Sequence, residues 1–326
     1  MLAKINKIPA GTFLVPLILS IVVYTIWPNL FMIGGMTQAL FSGEGVGVIT
    51  AILTFISGTA VDVKQTGRLL KRQGVLFIVK ALFSLALSWI FLQLFGQHGV
   101  LGISSLAFVA VITSSNTAIY LLTARQYGDE IDTGAFGFFG ILSLPLLPTF
   151  IYSFVFASGG NVDWTPVLSI LIPLILGIIV GNIDRGFYKL FGPAIGGLLP
   201  ILGWNLGQGL NIIEAVRAGI PGLILTLIYI IASSILVITD RMVLKNDGLY
   251  GLSLVTVAGL TTSVPALIAH SYPPLQPYVS AATAQILFAV IITCVGAPIV
   301  IAKWNDHMIK TGEKPLKAPT SDEGIN

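Results

Sequence analysis

The sequence predicts an all-α integral membrane protein with ten transmembrane helices arranged as two inverted five-helix repeats. Three observations carry this: an apolar excess, a long-range self-similarity and a one-sided distribution of basic residues. Of 326 residues 55% are hydrophobic and 10% charged, with a mean hydropathy of +0.92. A water-soluble core cannot absorb that much apolar surface, so the bilayer is the solvent. Leu14-Val15-Pro16-Leu17-Ile18-Leu19 returns 157 residues later as Leu171-Ile172-Pro173-Leu174-Ile175-Leu176. Ile52-Leu53 and Gly58 return as Ile201-Leu202 and Gly207, and Thr113-Ser114-Ser115 as Thr261-Thr262-Ser263, at slightly shorter offsets that fit unequal loops. Such repeats in a polytopic chain point to a secondary transporter whose site lies where the copies meet near mid-bilayer.

Apolar stretches long enough to cross a bilayer place spans near 9–28, 46–62, 73–95, 101–126, 133–157, 165–184, 194–211, 218–240, 249–270 and 276–303. Repeat one covers 1–157, repeat two 158–303, and 304–326 forms a cytoplasmic tail ending in a polar, Pro-containing disordered segment. An odd number of crossings per copy forces the second copy to insert upside down. With the N-terminus cytoplasmic, Arg217 alone among the Lys and Arg lies outside and Lys80 alone lies within a span. The positive-inside rule then puts both termini in the cytoplasm of a cell-inner-membrane protein. The net charge of +3 records orientation and gives no reason to invoke nucleic acid. Trp27, Trp89 and Trp164 near span ends suit the interfacial belt. The first apolar run is full length with no Ala-x-Ala site after it, so it reads as a retained span. The single Cys294 excludes an intrachain disulfide and reads as a buried inert thiol.

Spans four and nine carry the chemistry. Span four places Thr113, Ser114, Ser115, Asn116 and Thr117 between apolar flanks, and span nine places Thr261, Thr262 and Ser263 before Val264-Pro265. Ser, Thr and Asn compete for backbone hydrogen bonds and favour caps, and Pro is best accepted in a first helical turn, so each span is expected to break into two half-helices. Broken backbone at that depth must face protein or a wet cavity. Half-helices starting near Asn116 and Pro265 would aim positive dipole ends at one central region, which favours an anion. Freed carbonyls and hydroxyls would serve Na⁺ or a proton-linked network. The bland alternative is that these hydroxyls only back-bond within helices or pack between them.

At these residues the chain resembles the 2-keto-3-deoxygluconate permease family, within a wider group of ten-helix carriers that includes bile-acid sodium symporters. The resemblance runs through Lys7-Ile8-Pro9-Ala10-Gly11 with Leu14 to Leu17, His98-Gly99-Val100, Asn116 and Tyr120, Gln126-Tyr127-Gly128 and Gly134-Ala135-Phe136. It continues through Gly181-Asn182-Ile183-Asp184, Leu206-Gly207 and Pro265-Ala266-Leu267-Ile268-Ala269. It implies import of a sugar-acid anion with protons. It also implies a panel of spans 1, 2, 6 and 7 supporting a mobile core of spans 3–5 and 8–10. The family pattern has an Asp before the span-four break and a Glu in span five, where this chain has Thr113 and Leu142. Span nine likewise lacks the Glu of the bile-acid relatives.

Asn205, Gln208 and Asn211 lie at i, i+3, i+6 on span seven, as cavity-lining groups or as interhelical hydrogen-bonders beside Gly203-x-x-x-Gly207. Lys80, seven residues into span three, is a candidate counter-charge for an anion, or a side chain that snorkels to the cytoplasmic surface. Asp62 beside Lys64 and Arg68 reads as a solvated ion pair, and Asp184-Arg185 and Asp240-Arg241 as interfacial anchors. Ser143, Thr283 and Gln285 are placed to approach the crossings from the core. His98, His270 and His307 have no metal-ligand spacing, and the metal requirement stays open.

The leading expectation is a symporter moving a small organic anion by alternating access. No cofactor is expected, the coupling ion is Na⁺ or H⁺, the other partner is membrane lipid, and homo-oligomerisation is left open. No Gly-x-x-x-x-Gly-Lys-Ser/Thr element supports nucleotide hydrolysis. The competing classes are an intramembrane enzyme, for which no paired carboxylates or Ser/His pair is apparent, and a channel or membrane sensor, which needs no paired breaks.

Overall fold

The computed structural model describes residues 11–128, 132, 135, 139–156, 163–207 and 218–312. Gln208, Asn211, Arg217, Gly134, Phe136, the first ten residues and the 313–326 tail lie outside the described residues. The regular structure among the described residues is helical, apart from an isolated antiparallel bridge between Val100 and Ile103. Gly99 opens that loop at φ +74°, where a Cβ would run into the Ile103 carbonyl, which accounts for the glycine of the His98-Gly99-Val100 motif.

The helices are α1 (Gly11–Ile26), α2 (Gly35–Phe41), α3 (Gly45–Ala60), α4 (Val63–Phe95), α5 (Ser105–Thr113), α6 (Thr117–Tyr127), α7 (Leu146–Val155) and α8 (Thr165–Ile183). There follow α9 (Gly186–Phe191), α10 (Ala194–Gly207), α11 (Gly219–Ser233), α12 (Ile235–Ile238), α13 (Leu249–Leu254), α14 (Val264–Ser271) and α15 (Val279–Lys310). Among the described residues five helical segments are long and apolar enough to cross a membrane, or six if the pair α2 and α3, bent by 64°, counts as one. The chain is a membrane protein on that ground. α4 starts ten residues before the apolar run that marks span three, and α15 continues seven residues past the end of the tenth predicted span.

Two layers form. In the first, α1 packs on α10 and α3 on α8, with α10 also touching α3. Leu17, Ile21, Val46, Ile49, Leu53 and Leu202 fill its core. The α3–α8 contact is a backbone approach: Gly58 lies so close to α8 that a Cβ there would come within 3.0 Å of the Gly177 Cα. In the second layer α5, α7, α11 and α15 surround a core that includes Phe91, Phe108, Ile112, Tyr152 and Tyr229. Phe91 stacks on Phe108 with centroids 4.0 Å apart.

The Gly181-Asn182-Ile183-Asp184 motif ties α8 to the α3–α4 corner. The Asn182 amide donates to the Val61 carbonyl at 2.8 Å and accepts from the Val63 N–H at 2.9 Å. Arg185 donates to the carbonyls of Thr59, Ala60 and Val61 at 3.1 to 3.2 Å. It therefore satisfies carbonyls that the end of α3 leaves orphaned, a tighter role than interfacial anchoring. Asp184 accepts from the Gly186 N–H at 2.7 Å. Asp240 and Arg241 also part: Asp240 is buried, accepting from the Gly251 N–H and the Asn246 amide, while Arg241 lies over the Trp304 ring. Asp62 accepts from the Lys64 backbone N–H at 3.0 Å.

Candidate functional site: two helix breaks tied together

Ser104 caps α5, its side chain accepting from the Ala107 N–H, and the helix ends at Thr113. Residues 114–116 leave the helix, Ser114 in an extended conformation, before α6 starts at Thr117. The second break lies earlier than the hydroxyl cluster suggests. α13 ends at Leu254, residues 255–258 leave the helix, and Gly259–Ser263 form a 3₁₀ turn leading into α14, with Pro265 in its first turn. The reason is local: Thr262 and Ser263 donate to the Gly259 and Leu260 carbonyls, a back-bonding that suits a tight turn better than an open one.

The two breaks bond to each other. The Asn116 N–H donates to the Thr256 carbonyl at 2.9 Å, and the Ala258 N–H donates to Ser114 Oγ at 3.0 Å. Ser114 and Thr261 share a hydroxyl–hydroxyl bond of 2.6 Å, and Ser115 Oγ donates to the Leu254 carbonyl at 3.0 Å. Ser143, in a 3₁₀ turn before α7, donates to the Ser115 carbonyl at 2.7 Å and meets Thr117 Oγ1 at 3.2 Å. Backbone groups freed by one break are thus satisfied largely by the other, the condition for irregular backbone at membrane depth.

Ser114, Ser115, Asn116, Thr117 and Thr261 are therefore brought together. Thr113 folds back on the Val109 carbonyl at 2.7 Å, as Thr262 and Ser263 do on their own turn. Asn205 is elsewhere, buried in the first layer against Gly45 at the start of α3, with neither amide atom hydrogen-bonded among the described residues. Gln285 donates to the Gly102 carbonyl and Thr283 to the Val279 carbonyl, away from the breaks.

Four contributors escaped the sequence reading. Tyr229 Oη lies 3.1 Å from the Ser114 carbonyl and 3.0 Å from that of Thr256. Thr256 lies within the second break itself, and Thr293 accepts from the Val257 N–H at 3.0 Å. Cys294 accepts from the Asn116 amide at 3.1 Å, so the lone thiol sits at the crossing. Only Thr256 carried a signal, a hydroxyl five residues before a recognised cluster; the others are single polar groups in apolar helices. Lys80 does not snorkel: it is 1% exposed, with Nζ 4.8 Å from the Tyr229 ring centroid.

Between the layers lies a cavity of about 250 Å³. Thr50 and Thr54 of α3, Ser169 of α8, Thr149 of α7 and His270 of α14 line it. The hydroxyls of Thr54, Thr149 and Ser169 donate to carbonyls of their own helices or turns, leaving oxygen lone pairs for a guest, and Thr50 Oγ1 has no partner among the described residues.

Apolar membrane helices around paired, mutually bonded breaks define a polytopic membrane protein with a polar centre. Comparison with known proteins narrows this: a family model described as 2-keto-3-deoxygluconate permease matches residues 2–310. The chain belongs to that family. A protein of Xanthomonas oryzae pv. oryzae named 2-keto-3-deoxygluconate permease is 31% identical over 92% of this chain and 95% of its own length. Proteins of the same name from Tolumonas auensis and Escherichia coli are each 29% identical, covering 94% and 93% of this chain and 92% and 93% of their own lengths. A permease family implies a transporter rather than an enzyme.

Proposed function

We propose that this chain is a secondary carrier that imports a small organic anion, 2-keto-3-deoxygluconate or a related sugar acid, by alternating access in the cell inner membrane. The observation that carries the reading is the mutual bonding of the two breaks, because it makes the crossing a single polar unit at the centre of an apolar protein. The hydroxyl-lined cavity supports the substrate class: oxygens with free lone pairs suit the several O–H groups of a sugar acid. That cavity lies between α3 and α8 on one side and α7 and α14 on the other, where relative motion of the layers would open it. In this reading the first layer is the panel of spans 1, 2, 6 and 7 and the second the core of the remaining spans, in ten helices forming two inverted repeats.

Counterflow in proteoliposomes tests the carrier reading. Vesicles preloaded with 2-keto-3-deoxygluconate should exchange it for labelled external substrate, which a sensor cannot do. Absence of exchange with protein that binds the sugar acid would reject the carrier. Asn116→Ala should weaken binding about tenfold, the size of a lost hydrogen bond to a charged guest. Thr262→Ala should have the smaller effect, because its hydroxyl already bonds within its turn. Full affinity in both would move the pocket elsewhere.

Topology has its own test. With both termini cytoplasmic, cysteines introduced at Gln97 and Lys245 in a Cys294→Ala background should react from opposite sides of the membrane. Labelling of both from one side would end the inverted-repeat arrangement.

A further inference from the structure

Lys80 poses a chemical problem that the crossing does not solve. It sits in the middle of α4, within the part of that helix fit to cross a membrane, and its Nζ is buried with no hydrogen-bond partner among the described residues. With Ser84 and Ser88 it forms a buried polar stripe at i, i+4, i+8. Its neighbour is the ring of Tyr229, whose hydroxyl reaches the carbonyls of both breaks. The buried carboxylate that reaches α4, Asp132, is held at the start of that span by the Gln73 amide, about two turns before Lys80, and by the Tyr250 hydroxyl, and no hydrogen-bond partner reaches the Lys80 amine among the described residues. α5 offers only the Ile112 carbonyl, already engaged by Ser84. α7 offers Tyr152, bonded to Ser105, and α12 has no titratable side chain. The turn after α12 offers Asp240, held by Gly251 and Asn246, and Arg241, held over Trp304. From α11 comes Tyr229 itself. A charged amine at that depth needs a counter-anion, and an unpaired one costs on the order of several kcal/mol.

A sugar acid is such an anion. We propose that Lys80 is the proton carrier of this transporter: its amine takes up one proton when the anionic substrate occupies the site beside the crossing and releases it when the substrate leaves. The balance closes. One carboxylate and one proton cross together, the nitrogen lone pair binds the proton on loading and frees it on unloading, and no net charge moves. A titratable group therefore exists behind the crossing although Thr113 and Leu142 stand where the family pattern has carboxylates. The proposal rests on the carrier reading and adds which group couples it.

The test uses reconstituted full-length protein with 2-keto-3-deoxygluconate, and counterflow is measured first. Failure of exchange in the wild type counts against the carrier reading; the Lys80 assignment is decided by gradients and proton uptake. Electroneutral symport predicts that accumulation follows an imposed pH gradient, about tenfold per pH unit, and ignores a potassium–valinomycin potential. Uptake of the anion alone would respond to the potential, which acts on each charge moved. In detergent, substrate binding measured calorimetrically in buffers of different ionisation enthalpy should show uptake of one proton. K80M, K80Q and K80R are compared, and any of them that retains substrate binding should bind without proton uptake and should exchange substrate without pH-driven accumulation. Wild-type protein that exchanges substrate but takes up no proton would overturn the proposal, as would proton uptake persisting in a binding-competent variant.

Discussion

Tyr229→Phe is expected to slow counterflow at least tenfold and to lower stability by about 1–3 kcal/mol, the penalty for leaving a buried acceptor unpaired. The substitution removes one oxygen and keeps the ring, so the packing of the second layer and the surface beneath Lys80 remain. What changes is the junction. The Leu254 carbonyl retains the Ser115 hydroxyl and the Thr256 carbonyl retains the Asn116 N–H. The Ser114 carbonyl keeps no donor from the crossing among the described residues once Tyr229 Oη is gone. Because Ser114 also bonds to Thr261 and to the Ala258 N–H, a shift of its peptide disturbs both breaks at once. Ser114→Ala combined with Tyr229→Phe should therefore be non-additive, as expected for groups in one network. Wild-type exchange and an unchanged unfolding midpoint in Tyr229→Phe would show that the tyrosine hydroxyl does not hold the crossing.

The membrane class was legible because hydrocarbon solvation selects composition over long stretches, and a run such as Thr165–Ile183 announces itself without any tertiary information. The first break was equally plain, since Ser114 to Asn116 combine three residues that compete for backbone bonds with no proline to locate the next helix start elsewhere. The second was read some residues too late. Thr261 to Ser263 look like a break, yet hydroxyls that donate to carbonyls three residues back stabilise a tight helical turn, so the chain opened at Val255 to Ala258, where its side chains are mostly apolar. Partners from other helices were not legible at all. Tyr229, Thr293 and Cys294 are isolated polar groups whose meaning depends on which helix faces them. Lys80 was recognised as an ionisable group at depth, but whether its stem bends to the surface or stays inside depends on how α4 packs, which the local sequence does not encode.

Small residues give the sharpest remaining contrast. Beside the close approach expected at Gly203-x-x-x-Gly207, the structure puts one at Gly177-x-x-x-Gly181, where α8 meets α3. A Cβ on Gly177 would run into the Phe55 carbonyl and lie 3.1 Å from the Gly58 Cα; one on Gly181 would meet the Thr59 carbonyl and lie 2.6 Å from its Cα. These are backbone atoms and cannot swing aside, so α3 and α8 must separate to admit even a methyl group. Two effects oppose each other. Gly→Ala within a helix gains up to about 1 kcal/mol in propensity, while overpacking typically costs about 1–3 kcal/mol and here opens a whole helix contact. Gly177→Ala should therefore be destabilising, and Gly177→Val should leave little folded protein in detergent. Gly296, inside α15 with nothing within 4 Å of a built Cβ, supplies the opposite sign: Gly296→Ala should stabilise by about 0.5–1 kcal/mol. Thermal unfolding of the three variants beside the wild type decides the matter. Gly177→Val protein that unfolds at the wild-type temperature would mean that the first layer tolerates separation of α3 from α8 and is not the rigid support that alternating access would require of it.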